Sequence, residues 1–141
     1  MTSGTGKCLC GAVSFTAEGV DPHYHACHCG MCRRWSSSPL FAVTTERVSF
    51  EGEDNIARYD SSEWAERGFC KRCGTNLFYR LKPAGQYIMS VGTFDDPTPF
   101  KLEGEIFIDL KPEGYAFAGE HERLTEAEVF AKFLKPEEGG H

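Results

Sequence analysis

Seven cysteines in 141 residues constrain this chain more than any other feature, because of where they stand. They fall into three groups, "CLCG" (Cys8, Cys10), "CHCGMC" (Cys27, Cys29, Cys32) and "CKRCG" (Cys70, Cys73). Sulfur clustered in this way suits a metal, a disulfide or a reactive thiol. No apolar run approaches the length of a membrane span, and the start "MTSGTGKCLCG" lacks the apolar core of a signal peptide. A reducing, cytoplasmic setting is therefore expected, and there clustered cysteines point to metal ligation over disulfides.

Zinc takes four tetrahedral ligands in a structural site, and three protein ligands plus an open position in a catalytic one. Seven divides as four plus three. The pairs Cys8/Cys10 and Cys70/Cys73 each lead into a glycine, which tolerates the tight turn of a metal knuckle. Such turns also aim backbone N–H groups at the sulfurs. Cys8, Cys10, Cys70 and Cys73 are thus expected to form a closed, structural zinc site. Its four thiolates leave a net charge of −2, which Lys7, Lys71 and Arg72 are placed to offset. The tight C-x-C spacing is accommodated if the pair lies on a strand, where i and i+2 share a face. A redox dithiol at "CKRC" is the weaker alternative, because no βαβ pattern surrounds it.

Cys27, Cys29 and Cys32 remain for a second, catalytic zinc. If residues 25–29 are extended, Cys27 and Cys29 share a face with His25. His28 then points away and packs or forms a hydrogen bond. His25 is the candidate fourth ligand, so a closed Cys3His site and an open three-cysteine site both stay on the table. An open site needs apolar walls, and Trp35, Phe41 and Phe69 are candidates that serve equally well as core.

The rest of the chain reads as one mainly β domain over 1–141, with 137–141 a frayed tail. Alternating runs mark strands at "AVSFTAE", "LFAVTTE", "RVSFEG", "NLFYRL", "QYIMSVGTF" and "GEIFIDL". A short helical turn is expected at "CRRWS". A C-terminal helix is expected over "LTEAEVFAKFLKP", with Thr125 and Glu128 as a capping box, Pro136 as its end, and Ala127, Phe130, Ala131 and Leu134 as its apolar face. A formal charge of −6 disfavours nucleic-acid or anionic-membrane partners.

The order C-x-C-G, C-H-C-x-x-C-R-R and C-x-x-C-G-T-x-L-F resembles the glutathione-dependent formaldehyde-activating enzyme family, which includes centromere-protein-V-like proteins. The resemblance runs from about Lys7 to Tyr115, taking in "SVGTFDDP" and "EIFIDLKPEG". It implies a β-tent of antiparallel sheets around a four-cysteine zinc, with a second, substrate-facing zinc on Cys27, Cys29 and Cys32. Two stretches depart from the pattern: Ser36, Ser37 and Ser38 stand where many relatives place a glycine, and Gly114 and Tyr115 where a tryptophan is common.

The implied activity is that of a zinc-dependent carbon–sulfur lyase, reversibly joining formaldehyde or a related aldehyde to glutathione or a similar thiol. A zinc held by three thiolates can still bind a substrate thiol as its thiolate at neutral pH. Arg33 and Arg34, directly after Cys32, are candidates to hold a glutathione carboxylate by a bidentate bond or to offset negative charge. Asp95 and Asp96 either shuttle protons or form an Asp-Asp-Pro turn. The alternative from another class is a non-catalytic, zinc-stapled binding module of the same fold.

Overall fold

Short alternating runs separated by turn residues fold into antiparallel pairs when each strand can bury one face. In the computed structural model, which describes residues 2–132, the chain gathers into two compact units. One comprises the chain up to Tyr24 together with Ala42–Lys101, and the other His25–Phe41 together with the chain from Leu102 onward.

In the first unit, β1 (Thr2–Lys7), β2 (Ser14–Val20) and β5 (Arg47–Glu51) form an antiparallel sheet in the order β1-β2-β5. Along β2, Phe15 and Ala17 point into the core while Thr16 and Glu18 face out, as alternation predicts. A second antiparallel run comprises the Ala42–Thr44 part of β4 (Leu40–Thr44), then β9 (Gln86–Ser90), β8 (Asn76–Leu81), β7 (Ala65–Cys70) and β6 (Ile56–Asp60). Val13, Phe15, Val43, Leu77, Phe78, Met89 and Phe94 form its buried core, with Cys8 and Cys70 among them. Gly68 pairs with Phe78 across β7 and β8, and a Cβ at Gly68 would lie 2.1 Å from the Phe78 ring. The bare backbone there makes room for the largest fully buried side chain.

The second unit holds the end of β3 (His23–Cys27), α1 (Gly30–Ser36), β10 (Lys101–Ile106), β11 (Glu122–Leu124) and α2 (Glu126–Lys132). β10 and β11 run parallel, in a register that sets Glu105 opposite Arg123. Cys27, Cys29, Cys32, Phe107 and Val129 are buried together, with Leu40, Ile106 and Leu124 packed against them. No helix among the described residues is long and apolar enough to cross a membrane.

Several sequence-based expectations shift. The run at "GEIFIDL" stops being a strand at Ile106; Phe107 turns into the left-handed region at φ 57° and a 3₁₀ turn follows over Ile108–Leu110. The apolar run continues because Phe107 is buried, not because the strand does. "QYIMSVGTF" likewise ends as a strand at Ser90 and becomes a 3₁₀ turn. Cys8 and Cys10 lie on a turn after β1 and not on a strand. In α2, Val129 is the buried residue, while Ala127 and Ala131 are exposed and only Phe130 of the predicted described face is partly covered. Leu134, Pro136 and the tail 137–141 lie outside the described residues. The capping box forms as predicted: Thr125 N–H donates to Glu128 Oε1 at 2.8 Å, and Glu128 N–H donates to Thr125 Oγ1 at 3.2 Å. Thr125→Ala is expected to cost about 1 kcal/mol, measurable as a lower midpoint in denaturant unfolding.

Candidate metal centres

The first unit contains all of Cys8, Cys10, Cys70 and Cys73, and their four sulfurs lie within 4.8 Å of one another. Two turns bring them there. Gly11 at φ 79° and Gly74 at φ 80° occupy the left-handed conformation that closes each knuckle, as the Cys-Gly spacing predicted. Cys8 N–H donates to Val13 O and Gly11 N–H to Cys8 O, which folds C-x-C back on itself and sets its sulfurs 3.7 Å apart. The shared direction therefore comes from a turn, not from strand alternation. Backbone donors face the sulfurs: Val13 N–H approaches Cys8 Sγ at 3.4 Å, and the N–H groups of Arg72 and Cys73 approach Cys70 Sγ at 3.4 and 3.5 Å.

Thr75 joins the two knuckles. Its Oγ1 accepts from Leu9 N–H at 3.0 Å, which leaves its own hydroxyl proton to donate to Cys73 Sγ at 3.2 Å. Hydrogen bonds from the Thr75 hydroxyl and backbone hold the Cys73 thiol down to about 5. Cys10 goes the other way, up to about 11: the Ala12 backbone favours its thiolate, but desolvation and the neighbouring sulfurs outweigh it. Such opposed thiols describe a cluster that cannot hold four like charges unaided, and a divalent cation removes that conflict. The donor set and spacing fit zinc. Lys7, Lys71 and Arg72, expected to offset the charge, are exposed.

Cys27, Cys29 and Cys32 lie in the second unit, all buried, with sulfurs within 4.8 Å of one another. Cys29 caps α1, its sulfur accepting from Cys32 N–H at 3.4 Å, so C-x-x-C is one helical turn that brings two sulfurs to one side. Hydrogen bonds with Cys29 and Cys32, then burial and the charge of those neighbours, push the Cys27 thiol well above its usual value. The donors again fit zinc, and a bound cation would let all three sulfurs ionise together.

The histidines separate clearly. The ring nitrogens of His25 do not join the three-sulfur group, although His25 packs close to Gly104 of β10. His28 is fully buried and its Nε2 lies 2.7 Å from Glu105 Oε1. Its Nδ1 lies 3.3 Å from the Tyr115 hydroxyl, so both ring nitrogens are engaged. Arg33 Nε donates to His28 O at 3.0 Å, while Arg34 is exposed. Ser37 closes α1 in the left-handed region at φ 67°, the conformation a glycine would adopt without strain. Trp35 and Phe41 are half-buried in the second unit, with Phe41 5.6 Å from Phe117, whereas Phe69 sits on β7 in the first. Asp95 accepts from Thr5 Oγ1, and Asp96 from Thr98 N–H and Oγ1, the pattern of a turn.

A family model described as glutathione-dependent formaldehyde-activating enzyme matches residues 3–110, a span that includes all seven cysteines. The chain belongs to this family. An uncharacterized lyase of Schizosaccharomyces pombe is 35% identical over 132 residues, covering 92% of this glutathione-dependent formaldehyde-activating family member and 96% of the yeast protein. A Podospora anserina protein, provisionally named a glutathione-dependent formaldehyde-activating enzyme, is 34% identical over 87 residues; the match spans 56% of this chain and only 40% of that protein. A crystal structure of a Rhodobacter sphaeroides protein superposes with a TM-score of 0.56 at 22% identity, covering 84% of this chain and 98% of the other, which shows a shared fold.

Sequence reasoning missed Thr75, Glu105, Tyr115 as a partner of His28, and His121. A hint existed for Glu105: it is a lone carboxylate among apolar residues in "GEIFI". A charge placed inside a strand read as half-buried calls for a partner.

Proposed function

We propose that this protein is a zinc-dependent carbon–sulfur lyase that reversibly adds formaldehyde, or a related small aldehyde, to glutathione or a similar thiol. The observation that carries this reading is the set of three buried sulfurs from Cys27, Cys29 and Cys32, converging without a fourth His, Cys, Asp or Glu among the described residues. Three ligands and an open corner are the pattern of a reactive zinc, and four ligands that of a structural one. Membership of an enzyme family and the near-full-length match to a lyase support the same reading.

In this scheme Cys8, Cys10, Cys70 and Cys73 hold the structural zinc of a β-tent. Cys27, Cys29 and Cys32 hold the second zinc. When bound, that ion supplies the positive charge that keeps a substrate thiol deprotonated at neutral pH. The chain's own residues do the rest. The three cysteines are themselves buried, and His28, with both ring nitrogens engaged, would offer no nitrogen to compete with a substrate sulfur. A carbon–sulfur bond forms as the thiolate attacks the carbonyl carbon, and the carbonyl oxygen takes up the proton the thiol lost. Arg33 and Arg34 lie beside the site in sequence and offer guanidinium groups for a glutathione carboxylate.

The test is exchange between formaldehyde and glutathione, followed by NMR in mixtures at equilibrium. Exchange several-fold faster than the spontaneous rate, abolished by chelation, is expected, together with two zincs per chain by metal analysis. A spontaneous rate unchanged by the protein would sink this activity. One tightly held zinc and no acceleration would instead favour the binding module.

A further inference from the structure

The second unit contains a buried polar chain that the proposed chemistry does not use. Glu105 is 1% exposed, and a carboxylate so placed is costly unless each oxygen is hydrogen-bonded. Oε1 receives His28 Nε2 at 2.7 Å; Oε2 receives His121 Nε2 at 2.5 Å and Arg123 Nε at 3.2 Å. The register of β10 and β11, which pairs Glu105 with Arg123, puts that arginine in reach. Burial pushes the Glu105 carboxyl up, but hydrogen bonds from His121 and His28 hold it below its usual range. It is thus an ionised acceptor at neutral pH.

Both ring nitrogens of His28 are engaged: Nε2 donates to the Glu105 carboxylate, which only accepts, and Nδ1 lies against the Tyr115 hydroxyl. The His28 backbone is held as firmly. Its N–H donates to Ile106 O at 3.1 Å, and its C=O accepts from Arg33 Nε at 3.0 Å. All four polar groups of one residue are therefore committed, two of them to the adjacent β10 residues Glu105 and Ile106. That residue stands between Cys27 and Cys29. Fixing its ring and its backbone fixes the directions in which the flanking sulfurs leave the chain.

We infer that Glu105, acting through His28, is the positioning residue of the three-cysteine site, holding Cys27 and Cys29 in a ligating arrangement before metal arrives. The inference rests on the proposed zinc at that site. Neither residue is a ligand. Their part is to remove the freedom the ligand turn would otherwise lose on binding metal, as partners one bond beyond the ligands do in other metal sites. Glu105 also ties this turn to the segment before β11, since Arg123 Nη2 reaches Phe117 O and Gly119 O.

The experiment loads the full chain with Co²⁺, whose thiolate bands report each site, and follows its loss to excess chelator. Cys27→Ser and Cys70→Ser assign the two kinetic phases. Glu105→Ala is expected to speed loss from the three-cysteine site by about 10- to 100-fold and to leave the four-cysteine phase unchanged. Glu105→Gln, which retains one acceptor for an imidazole, is expected to recover part of that difference. It also serves as the test if the alanine variant does not fold. Unchanged phases in both variants, or equal acceleration of both phases, would overturn the positioning role while leaving the proposed function standing. A wild-type chain that takes up a single Co²⁺ would overturn the proposed function, and this inference with it.

Discussion

Cys70→Ser is expected to cost the protein one metal and more than about 4 kcal/mol of stability, the range reached when a structural metal site is lost. The reasoning starts from burial. Cys70 is 0% exposed and sits in the core beside Leu77 and Phe78, so its replacement cannot be relieved by water. Its sulfur accepts two backbone N–H groups and lies 3.8 Å from the Cys10 sulfur. A serine hydroxyl does not ionise at neutral pH, so the site drops to three thiolates and the two knuckles lose their common anchor. Structural zinc contributes its binding energy directly to folding, on the order of 10 kcal/mol in small zinc modules. A melting temperature lower by roughly 10 °C or more, with zinc content falling from two to one, is the measurement. A melting point within a few degrees of wild type would show that the four sulfurs do not staple the fold.

How much of this was legible beforehand follows from the range of each interaction. The sulfur grouping could be read because knuckle geometry is local: a cysteine pair and a glycine within four or five residues define the turn, and Gly11 and Gly74 take the conformation this requires. The capping box at Thr125 and Glu128 is local in the same way. β1 was not legible, because "TSGTGK" has no apolar alternation and becomes a strand only by pairing with β2. β7 was hidden for the opposite reason. It buries Glu66 and Arg67, and Glu66 is tolerated there because Arg58 and Arg80 reach it from β6 and β8. The partner of His28 lies 77 residues away, beyond any local pattern. The strand ends at Cys27, so alternation does not extend through His28 and Cys29. His28 is buried and hydrogen-bonded, as one of the expectations had it, but no local pattern could name Glu105.

The same distinction between stapling and chemistry governs the expected behaviour of Cys27→Ser. Here the loss should fall on activity. Cys27 is buried among Cys29, Cys32 and Phe107 in a smaller cluster that Val129, Leu40 and Leu124 also support, and His28 still anchors the turn through Ile106 O. The fold therefore has other supports, and the melting temperature should stay within several degrees of wild type. The chemistry has none. Three ligands are the fewest a catalytic zinc keeps, and a neutral hydroxyl in place of the thiolate removes both a donor and a charge. Groups that only touch zinc ligands already carry 10- to 100-fold effects, so a direct ligand should carry more. The protein-dependent part of formaldehyde–glutathione exchange is expected to fall by a factor of about 100 or more. Metal content should drop to one per chain, with the four-cysteine site still filled. Full activity in Cys27→Ser, with both metals retained, would move the reaction away from the three-cysteine cluster. Activity lost equally in Cys27→Ser and Cys70→Ser, with equal destabilisation, would mean that both clusters serve the fold alone.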